Sequence, residues 1–334
     1  LLSKRDPRLE APFSFGERPL RQINPAISPE FELVINNLLR YDPEERYKTA
    51  DAVREALMGV AKKTGALSAL QKTGTMTGKE QGIKPFWTFQ CEDEIRGSAV
   101  YDSGFVYVGS YDNNLYALNA ATGEFAWKFP TEGGIITRPA VEDAVLYLGS
   151  EDHNFYALSA RSWKQMWTYT TGGAIRCSPR VTEGHAFIGS DDGFLRAVNI
   201  SSQRETWRMD AGGAVRSMPV VNNGLIYFGS DSGDFFCIDF RGQVKWLFRA
   251  KRAIYSSPLL SGGLIFFTSL DGTFCALDAK SGWVIWRFRM GKGSISSPCK
   301  SENLVYAGSA DGYIYCVEAT SAKEVWRFQT NHQV

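Results

Sequence analysis

From residue 85 onward, short apolar runs are separated by turn residues. Runs such as 106–110 and 115–118 are apolar and have the length and composition of strands, and Gly, Asp and Asn lie between them. Four such runs follow one another in a fixed order, which predicts a four-stranded antiparallel meander. Glycine supplies the positive φ angles that turns of this kind need.

This meander recurs about every 40 residues. Three columns show the period, namely a tryptophan, a Ser that follows an apolar run, and a Pro at the start of most units, and all three share one single-residue deletion. The tryptophans, spaced 40, 40, 40, 39, 40 and 40 residues apart, are Trp87, Trp127, Trp167, Trp207, Trp246, Trp286 and Trp326. The shared deletion indicates a true repeat, with six complete units between Ile95 and Phe328.

A single sheet of this kind cannot bury both of its faces, whereas copies stacked around an axis can. We therefore predict an all-β propeller over residues 85–334, with four-stranded antiparallel blades and each Trp packed between neighbouring blades. Residues 87–89 have the pattern of an isolated fourth strand, and 328–334 look like a loop into another first strand. These ends predict a seventh, partial blade and a native ring of seven or eight. A closed six-bladed ring with Trp87 on an accessory edge strand is the alternative.

The unit V-Y-x-G-S-x-D-G-x-L-Y-A-L-D-A-x-T-G-x-x-x-W, matched closely by residues 106–127 and 305–326, resembles the PQQ-like (quinoprotein-like) propeller repeat. The resemblance is specific for fold and weakly informative about function. It implies that members which bind pyrroloquinoline quinone have a calcium site, a catalytic Asp and a pair of adjacent cysteines. No Cys-Cys pair occurs in this sequence, so we expect neither that cofactor nor quinone dehydrogenase activity.

Residue types that often carry chemistry occur here in structural patterns. The six cysteines form no C-x-x-C motif, and Cys237, Cys275 and Cys316 lie in apolar runs that favour buried, reduced thiols. An aspartate recurs in the second turn of every unit, which favours a turn role over metal ligation. These aspartates are Asp112, Asp152, Asp192, Asp231, Asp271 and Asp311. We expect no catalytic, cofactor-binding or metal site in this chain.

Charge and hydropathy restrict the partners and the compartment. The 334 residues include 37 basic and 36 acidic ones, so the net charge predicts no nucleic-acid partner. No run of 18 apolar residues occurs, and we expect no membrane span. The unpaired cysteines and the lack of a signal-peptide pattern favour the cytoplasm. Because the chain opens with Leu1 rather than Met, we expect its true start to lie upstream.

One position at the start of the innermost strand carries a charged or aromatic residue in four units. In a propeller this position lies around the mouth of the central channel, where three arginines favour binding of a protein or a small anionic ligand. The candidate rim residues are Arg96, Arg176, Arg216 and Tyr255. The alternative is that these arginines pair with acidic residues of neighbouring turns, such as Asp112, Asp192 or Asp231.

Residues 1–60 follow a helical period instead. Residues 28–40 predict an amphipathic helix with Ser28 as N-cap and Pro29 as its first residue, and a second helix is predicted from about Thr49 to Lys62. Between them lies Asp-Pro-Glu-Glu-Arg, residues 42–46. Residues 61–84 are polar, rich in Gly, Thr and Lys, and without periodicity, which predicts a flexible linker.

The segment 1–60 resembles the end of the C-terminal lobe of bacterial Ser/Thr protein kinases, where a helix and L-x-x-D-P-x-x-R precede the last helix. The resemblance implies that Arg46 matches the arginine that pairs with the Glu of an A-P-E motif, which would lie upstream of Leu1. The Gly-rich loop with its Lys, H-R-D and D-F-G are absent, so we do not expect this chain to be an enzyme. ATP and Mg²⁺ would bind in the missing kinase part. A helical hairpin that caps the propeller is the alternative.

Together these patterns give a leading hypothesis and one rival. The leading hypothesis is the C-terminal fragment of an ATP-dependent bacterial serine/threonine protein kinase, with the propeller as a non-catalytic sensor or docking platform. The rival is a scaffold propeller of the outer-membrane-assembly lipoprotein type, without kinase activity.

Overall fold

The chain folds as two compact units, Leu1–Lys84 and Pro85–Val334. The computed structural model describes residues 20–24, 27–40, 42–63, 85–332 and 334. The first 19 residues of the predicted kinase-like segment and residues 64–84 of the predicted linker lie outside the described residues.

The first unit contains short helices that begin at side-chain caps. The Ser28 hydroxyl accepts a hydrogen bond from the Phe31 N–H at 3.2 Å, and the Asp42 carboxylate accepts one from Glu44 at 2.8 Å. Both caps satisfy backbone donors that a first helical turn leaves free. The helices are α1 (Leu20–Ile23), α2 (Pro29–Leu38), a 3₁₀ turn (Pro43–Glu45) and α3 (Ala50–Lys63). The second predicted helix is therefore shifted by one residue at each end.

Apolar side chains of α2 and α3 are divided between the interior and solvent. Val34 is buried, whereas Leu33, Leu39 and Leu57 are exposed. Among the described helices, none combines the length and the hydropathy that crossing a membrane requires.

The second unit consists of six four-stranded antiparallel sheets, which we call blades 1 to 6. Blade 1 contains β1 (Val100–Asp102), β2 (Phe105–Gly109), β3 (Asn114–Asn119) and β4 (Phe125–Pro130), and blade 2 contains β5 (Ala140–Glu142), β6 (Val145–Gly149), β7 (Asn154–Ser159) and β8 (Gln165–Thr170). Blade 3 contains β9 (Arg180–Thr182), β10 (His185–Gly189), β11 (Phe194–Asn199) and β12 (Arg204–Asp210), and blade 4 contains β13 (Val220–Asn222), β14 (Leu225–Gly229), β15 (Asp234–Asp239) and β16 (Val244–Arg249). Blade 5 contains β17 (Leu259–Ser261), β18 (Leu264–Thr268), β19 (Thr273–Asp278) and β20 (Val284–Arg289), and blade 6 contains β21 (Cys299–Ser301), β22 (Leu304–Gly308), β23 (Tyr313–Glu318) and β24 (Glu324–Gln329).

Within each blade the strands pair in chain order, and the pairing of the third with the fourth strand shifts register once, as between Ala117 and Leu118. The first strands of blades 1 to 4 lie side by side. The predicted all-β propeller architecture is thus confirmed, with six complete blades.

The hydrophobic core lies between successive blades. In the first of these interfaces, Leu115 and Ala117 of blade 1 pack with Leu146 and Leu158 of blade 2, and Trp127 contacts the same cluster. The structure places five of the seven tryptophans in such interfaces, and among the described residues Trp87 packs against blade 1 alone. Four of them also donate the indole N–H to the carbonyl oxygen 33 residues further on; the pairs are Trp87–Ala120, Trp207–Phe240, Trp246–Ala279 and Trp286–Ala319, at 2.7–3.1 Å.

Trp326 departs from the predicted blade-packing role. Its side chain is 44% exposed, against 8% for Trp286, and all six residues of β24 are exposed. The physical reason is that, within the described residues, no further sheet covers this face of blade 6. Residues 87–89 also differ from the prediction, because they form no strand, although Trp87 and Phe89 pack against blade 1.

The last residue occupies a position that recurs in every preceding repeat. The Val334 N–H donates to the Ser309 carbonyl at 3.3 Å, just as Ile135 donates to Ser110 at 3.0 Å. Val334 therefore lies where the loop before a first strand lies in the other repeats. This position agrees with the sequence pattern of 328–334. The native number of blades stays a prediction.

Candidate functional site

Two kinds of connection meet at one end of every blade. One is the turn between the second and third strands, and the other is the inter-blade loop that leads from a fourth strand to the next blade. A backbone hydrogen bond joins them, such as Glu151 N–H to Gly134 O and Asp191 N–H to Ala174 O, each 2.9 Å. We call this end the loop face; the turns between first and second strands lie at the other end.

Aspartates of the second turn join these two connections. One carboxylate oxygen of Asp152 accepts the Asn154 N–H at 2.9 Å, and the other accepts the N–H of Glu132, in the inter-blade loop, at 3.0 Å. Asp112, Asp271 and Asp311 make the same pair of bonds. The turn role predicted for these aspartates agrees with this geometry.

Asp231 is an exception to the predicted turn role. It lies one position too early in the repeat, and Ser232 occupies the turn position instead. The Ser232 hydroxyl contacts the Ser230 hydroxyl and donates to the carbonyl of Ala211, which belongs to the inter-blade loop. Asp231 is therefore free to contact the rim, where it accepts a hydrogen bond from Tyr255.

The predicted rim residues form a chain of ion pairs and hydrogen bonds across blades 2 to 5. Its members are Glu151, Arg176, Asp191, Arg216, Tyr255 and Asp231, which we call the rim network. Arg176 contacts Glu151 at 2.7 Å and also Asp191, and Arg216 makes two bonds to Asp191 at 2.8 and 3.1 Å. The Arg216 guanidinium lies 5.2 Å from the centre of the Tyr255 ring. These hydrogen bonds raise the pKa of both arginines.

The rim network carries more acid than base. Three carboxylates against two guanidinium groups give a formal charge of −1. The structure thus brings Arg176, Arg216 and Tyr255 together. Both arginines pair with Asp191, which precedes the Asp192 named in the sequence-based alternative, and Tyr255 bonds to Asp231. Arg96 lies outside the network, where it pairs with Glu94 at 2.8 Å. Anion binding at the rim stays a prediction, and these pairs oppose it because an anion would have to displace carboxylates.

A second feature of the loop face is a groove at blades 5 and 6 with a volume of about 620 Å³. Its charged residues are Lys251, Arg252, Asp271, Arg289 and Lys292, and we call it the basic groove. Within the described part of the chain, none of its four cations forms an ion pair with a carboxylate, in contrast to Arg176 and Arg216. Arg289 donates to a backbone carbonyl, that of Asp271, at 2.5 Å.

Sequence reasoning missed the basic groove, although the repeat contained a signal. The position of Gly133, Gly173 and Gly213 is occupied by Arg252 and Lys292 in the loops that lead into blades 5 and 6. The predicted rim position carries arginine in three repeats, whereas two of the groove cations lie at a position that carries glycine in the loops into blades 2 to 4.

Four of the six cysteines are buried in the propeller. Cys237, Cys275 and Cys316 are buried, as predicted, and so is Cys177. Burial raises the pKa of Cys237 to about 11 and that of Cys275 to about 12, which keeps both thiols protonated at neutral pH. The described residues contain no group of three His, Cys, Asp or Glu side chains arranged to hold a metal ion.

In the first unit, Arg46 follows the 3₁₀ turn. Its Nε donates to the Arg40 carbonyl, near the end of α2, at 2.8 Å. This bond fixes the turn between α2 and α3 against the end of the preceding helix. The glutamate partner that the kinase resemblance implies would lie upstream of Leu1, so that predicted ion pair is untested.

Comparisons with known proteins agree with this geometry. No curated protein matches the chain. The crystal structure of BamB from Moraxella catarrhalis is similar, with a TM-score of 0.65 and 18% sequence identity over 73% of this chain and 77% of that one. A family profile described as outer membrane protein assembly factor BamB matches residues 63–202 and again 191–327. Because these matches span well over half of the sequence, the chain belongs to this family of PQQ-like repeat propellers.

Proposed function

We propose that the propeller is a non-catalytic docking platform for another protein, and that the partner binds on the loop face. The observation that carries the proposal is the separation of charge there. The rim network of blades 2 to 5 has a formal charge of −1, whereas four cations against one carboxylate give the basic groove +3. Such a separation orients a partner of complementary charge and favours one docking geometry.

The turn aspartates, buried thiols and rim arginines hold the fold together, which supports binding rather than catalysis. The turn aspartates hold backbone N–H groups, and the buried thiols have raised pKa values. The arginines at the rim are engaged by Glu151 and Asp191. The exposed, uncommitted groups on this face are the cations of the basic groove, which suit recognition.

The family supports a scaffold role of this kind. Its description names an assembly factor, and the similar solved structure is that of BamB. For this chain we take from it a scaffold propeller that holds another protein in place. We make no proposal about the identity of that protein.

A second candidate, which is compatible with docking, places the platform in a protein kinase. It is supported by the capped Asp-Pro turn between α2 and α3, with Arg46 fixed after it, and by the exposed Leu33, Leu39 and Leu57. Exposed leucines on amphipathic helices suit packing against a further lobe. In this proposal the polypeptide is an ATP-dependent serine/threonine kinase of the cytoplasm, and the propeller binds a substrate or regulator.

The kinase proposal is tested by the gene sequence upstream of the Leu1 codon and by a phosphorylation assay of the whole polypeptide. H-R-D and D-F-G motifs with transfer of phosphate from ATP to a protein substrate would support it. A lipoprotein signal with a lipid-attachment cysteine in that upstream region would contradict it and favour the scaffold alternative.

The docking proposal is tested by photo-cross-linking in the cells that make the protein. A photoactivatable amino acid is placed at Ile295, which is 60% exposed at a rim position, or at Tyr101, which is 65% exposed beside a turn at the other end of blade 1. We expect a discrete protein adduct from position 295 and none from position 101. Adducts from position 101 alone, or equally from both positions, would contradict docking on the loop face.

A further inference from the structure

We propose that the basic groove binds an extended acidic peptide segment, rich in Asp and Glu, that belongs to the docked protein. This inference rests on the proposed docking function and names the chemistry of its partner. Three observations support it: the unpaired charge of the groove, the positions of two of its cations in the repeat, and the loss of acidic residues at the same blades.

Unpaired charge is the first observation. Lys251, Arg252, Arg289 and Lys292 are all exposed, and within the described residues none lies within 4 Å of a carboxylate. The one acid in the groove, Asp271, is occupied, because its two oxygens accept the N–H groups of Lys251 at 3.1 Å and Thr273 at 2.8 Å. Four neighbouring cations around this one carboxylate leave a formal charge of +3, which creates a local positive potential.

The repeat shows that these cations are not needed to build a blade. A Cβ at Gly133, Gly173 or Gly213 would lie only 2.5–2.8 Å from a backbone nitrogen of the next turn. The equivalent positions before blades 5 and 6 nevertheless carry long cationic side chains, Arg252 and Lys292. A loop position that has little room for a side chain before blades 2 to 4 thus carries a cation before blades 5 and 6. This difference points to a use other than folding.

Acidic residues disappear at the same two blades. The turn position that carries Glu151, Asp191 and Asp231 in blades 2 to 4 carries Leu270 and Ala310 in blades 5 and 6. Both changes act in the same direction, because one adds cations to the loops and the other removes the carboxylates that would neutralise them. The groove therefore favours anions, whereas the arginines of the rim network are paired with carboxylates of the same network.

The shape of the groove favours an extended anion over a small compact one such as phosphate. Its cations are carried on long, exposed side chains around an open groove of about 620 Å³. Such an arrangement suits carboxylates spread along a peptide.

Its side chains also disfavour nucleic acid. Proteins that bind single strands usually stack bases on aromatic rings. The groove is lined by Lys, Arg, Leu, Asp, Gly and Ala residues and has no aromatic residue in its wall. An acidic peptide needs only the cations, and the apolar Leu270 between them can contact its backbone or a small side chain.

The test uses the full chain and a short fluorescein-labelled peptide of alternating Glu and Gly, with fluorescence anisotropy as readout. A peptide with Gln in place of Glu, inorganic phosphate as competitor and an oligothymidylate of equal charge are the comparison probes. We expect the Glu peptide to bind, with an affinity that falls as salt rises, and the Gln peptide not to bind. The double variant Lys251→Glu/Arg252→Glu should weaken binding about tenfold.

The matched control is Lys128→Glu/Lys164→Glu, which makes the same change in net charge at two other exposed lysines. It should leave the affinity unchanged, and Lys292→Gln should weaken binding less than the double reversal. Equal loss in both double variants would show a non-specific charge effect and overturn the proposal. Full displacement by phosphate at a concentration equal to that of the peptide, or tighter binding of oligothymidylate, would replace the peptide with that ligand class.

The two proposals fail separately. If the Glu peptide does not bind but cross-links still form from position 295, docking stands and the acidic segment is wrong. If the peptide binds but cross-links form only from position 101, the groove is real and the docking face is wrong.

Discussion

At the residue scale, three of the second-turn aspartates accept a hydrogen bond from a tyrosine four residues further along the chain. Tyr116, Tyr156 and Tyr315 donate a phenolic hydrogen bond of 2.7 Å to Asp112, Asp152 and Asp311. Burial and this bond to a carboxylate raise the pKa of all three phenols. In blade 4 both partners are replaced together, by Ser232 and Phe236, whereas blade 5 keeps Asp271 and has Cys275 at the donor position. In blade 5 the aspartate therefore joins turn and loop without this donor.

Blade 3 uses a guanidinium group in place of the phenol. Burial opposes ionisation of Asp192, but hydrogen bonds from Arg196 and Ser190 outweigh it and lower the pKa to about 2. Because the folded pKa lies below the ordinary 3.8, this carboxylate stabilises the fold above about pH 4, and the contribution of about 2 kcal/mol is lost as the pH falls towards 2. We expect Asp192→Asn to lower stability at neutral pH and to flatten the acid dependence, as measured by urea unfolding across this range. An unchanged acid slope would contradict the assignment.

The two ends of the tryptophan series predict unequal costs of truncation. Trp286 is buried between blades 5 and 6 and bonded to Ala319 at 2.8 Å, so Trp286→Ala should cost about 3 to 5 kcal/mol. Trp326 is exposed and contacts mainly Tyr306, so Trp326→Ala should cost about 1 kcal/mol. The midpoints of urea unfolding measure the difference. Equal costs would show that the outer face of blade 6 is covered in solution.

At the element scale, the inter-blade loops combine structural support with recognition. Each loop bonds to the next turn, and its tight position decides whether a side chain fits. Strands were predictable because short apolar runs between turn residues are a local pattern. The charge of the loop face was not, because it depends on which turn position faces which loop across a blade. Asp231 illustrates this limit. Its turn, Ser-Asp-Ser-Gly, resembles the Ser-Asp-Asp-Gly of blade 3, but its aspartate lies one position before the one that bonds the turn.

Two substitutions at the equivalent loop positions 213 and 252 test whether the room at this position differs between blades. Gly213→Arg should destabilise the protein by about 1 to 3 kcal/mol, because its Cβ would lie 2.8 Å from the Ser232 nitrogen. Arg252→Gly should change stability by less than about 0.5 kcal/mol, because the side chain is exposed and its one bond, to the Leu270 carbonyl, is 3.5 Å long. Thermal unfolding of both variants is the measurement. A larger loss from Arg252→Gly than from Gly213→Arg would show that Arg252 is structural.

At the scale of the whole molecule, the chain is nearly neutral, but positive and negative charge are separated on its loop face. A net charge of +1 gave no sign of a partner, yet the rim network and the basic groove carry opposite charges on one end of the ring. The repeat made the propeller fold predictable, since four-stranded units that recur every 40 residues bury their faces by stacking around an axis. Function was less predictable, because it depends on the positions where the copies differ.

The division predicts that freeing the rim arginines will extend the binding surface. Asp191 holds both Arg176 and Arg216, so Asp191→Asn removes the carboxylate that neutralises them. We expect the affinity of the loop face for the Glu peptide to rise severalfold at low salt, as followed by anisotropy. The control is Asp143→Asn, an exposed aspartate in the turn between β5 and β6 at the opposite end of blade 2. The same gain from Asp143→Asn would attribute the effect to net charge alone.

Hydrogen–deuterium exchange of the chain with and without the protein captured by cross-linking tests the docking face most directly. With that protein bound, we expect slower exchange in the inter-blade loops 250–256 and 290–296. We expect no change in the turns 102–105 and 142–145 at the other end of the blades. Protection confined to those opposite turns, or to the outer strand β24, would contradict it.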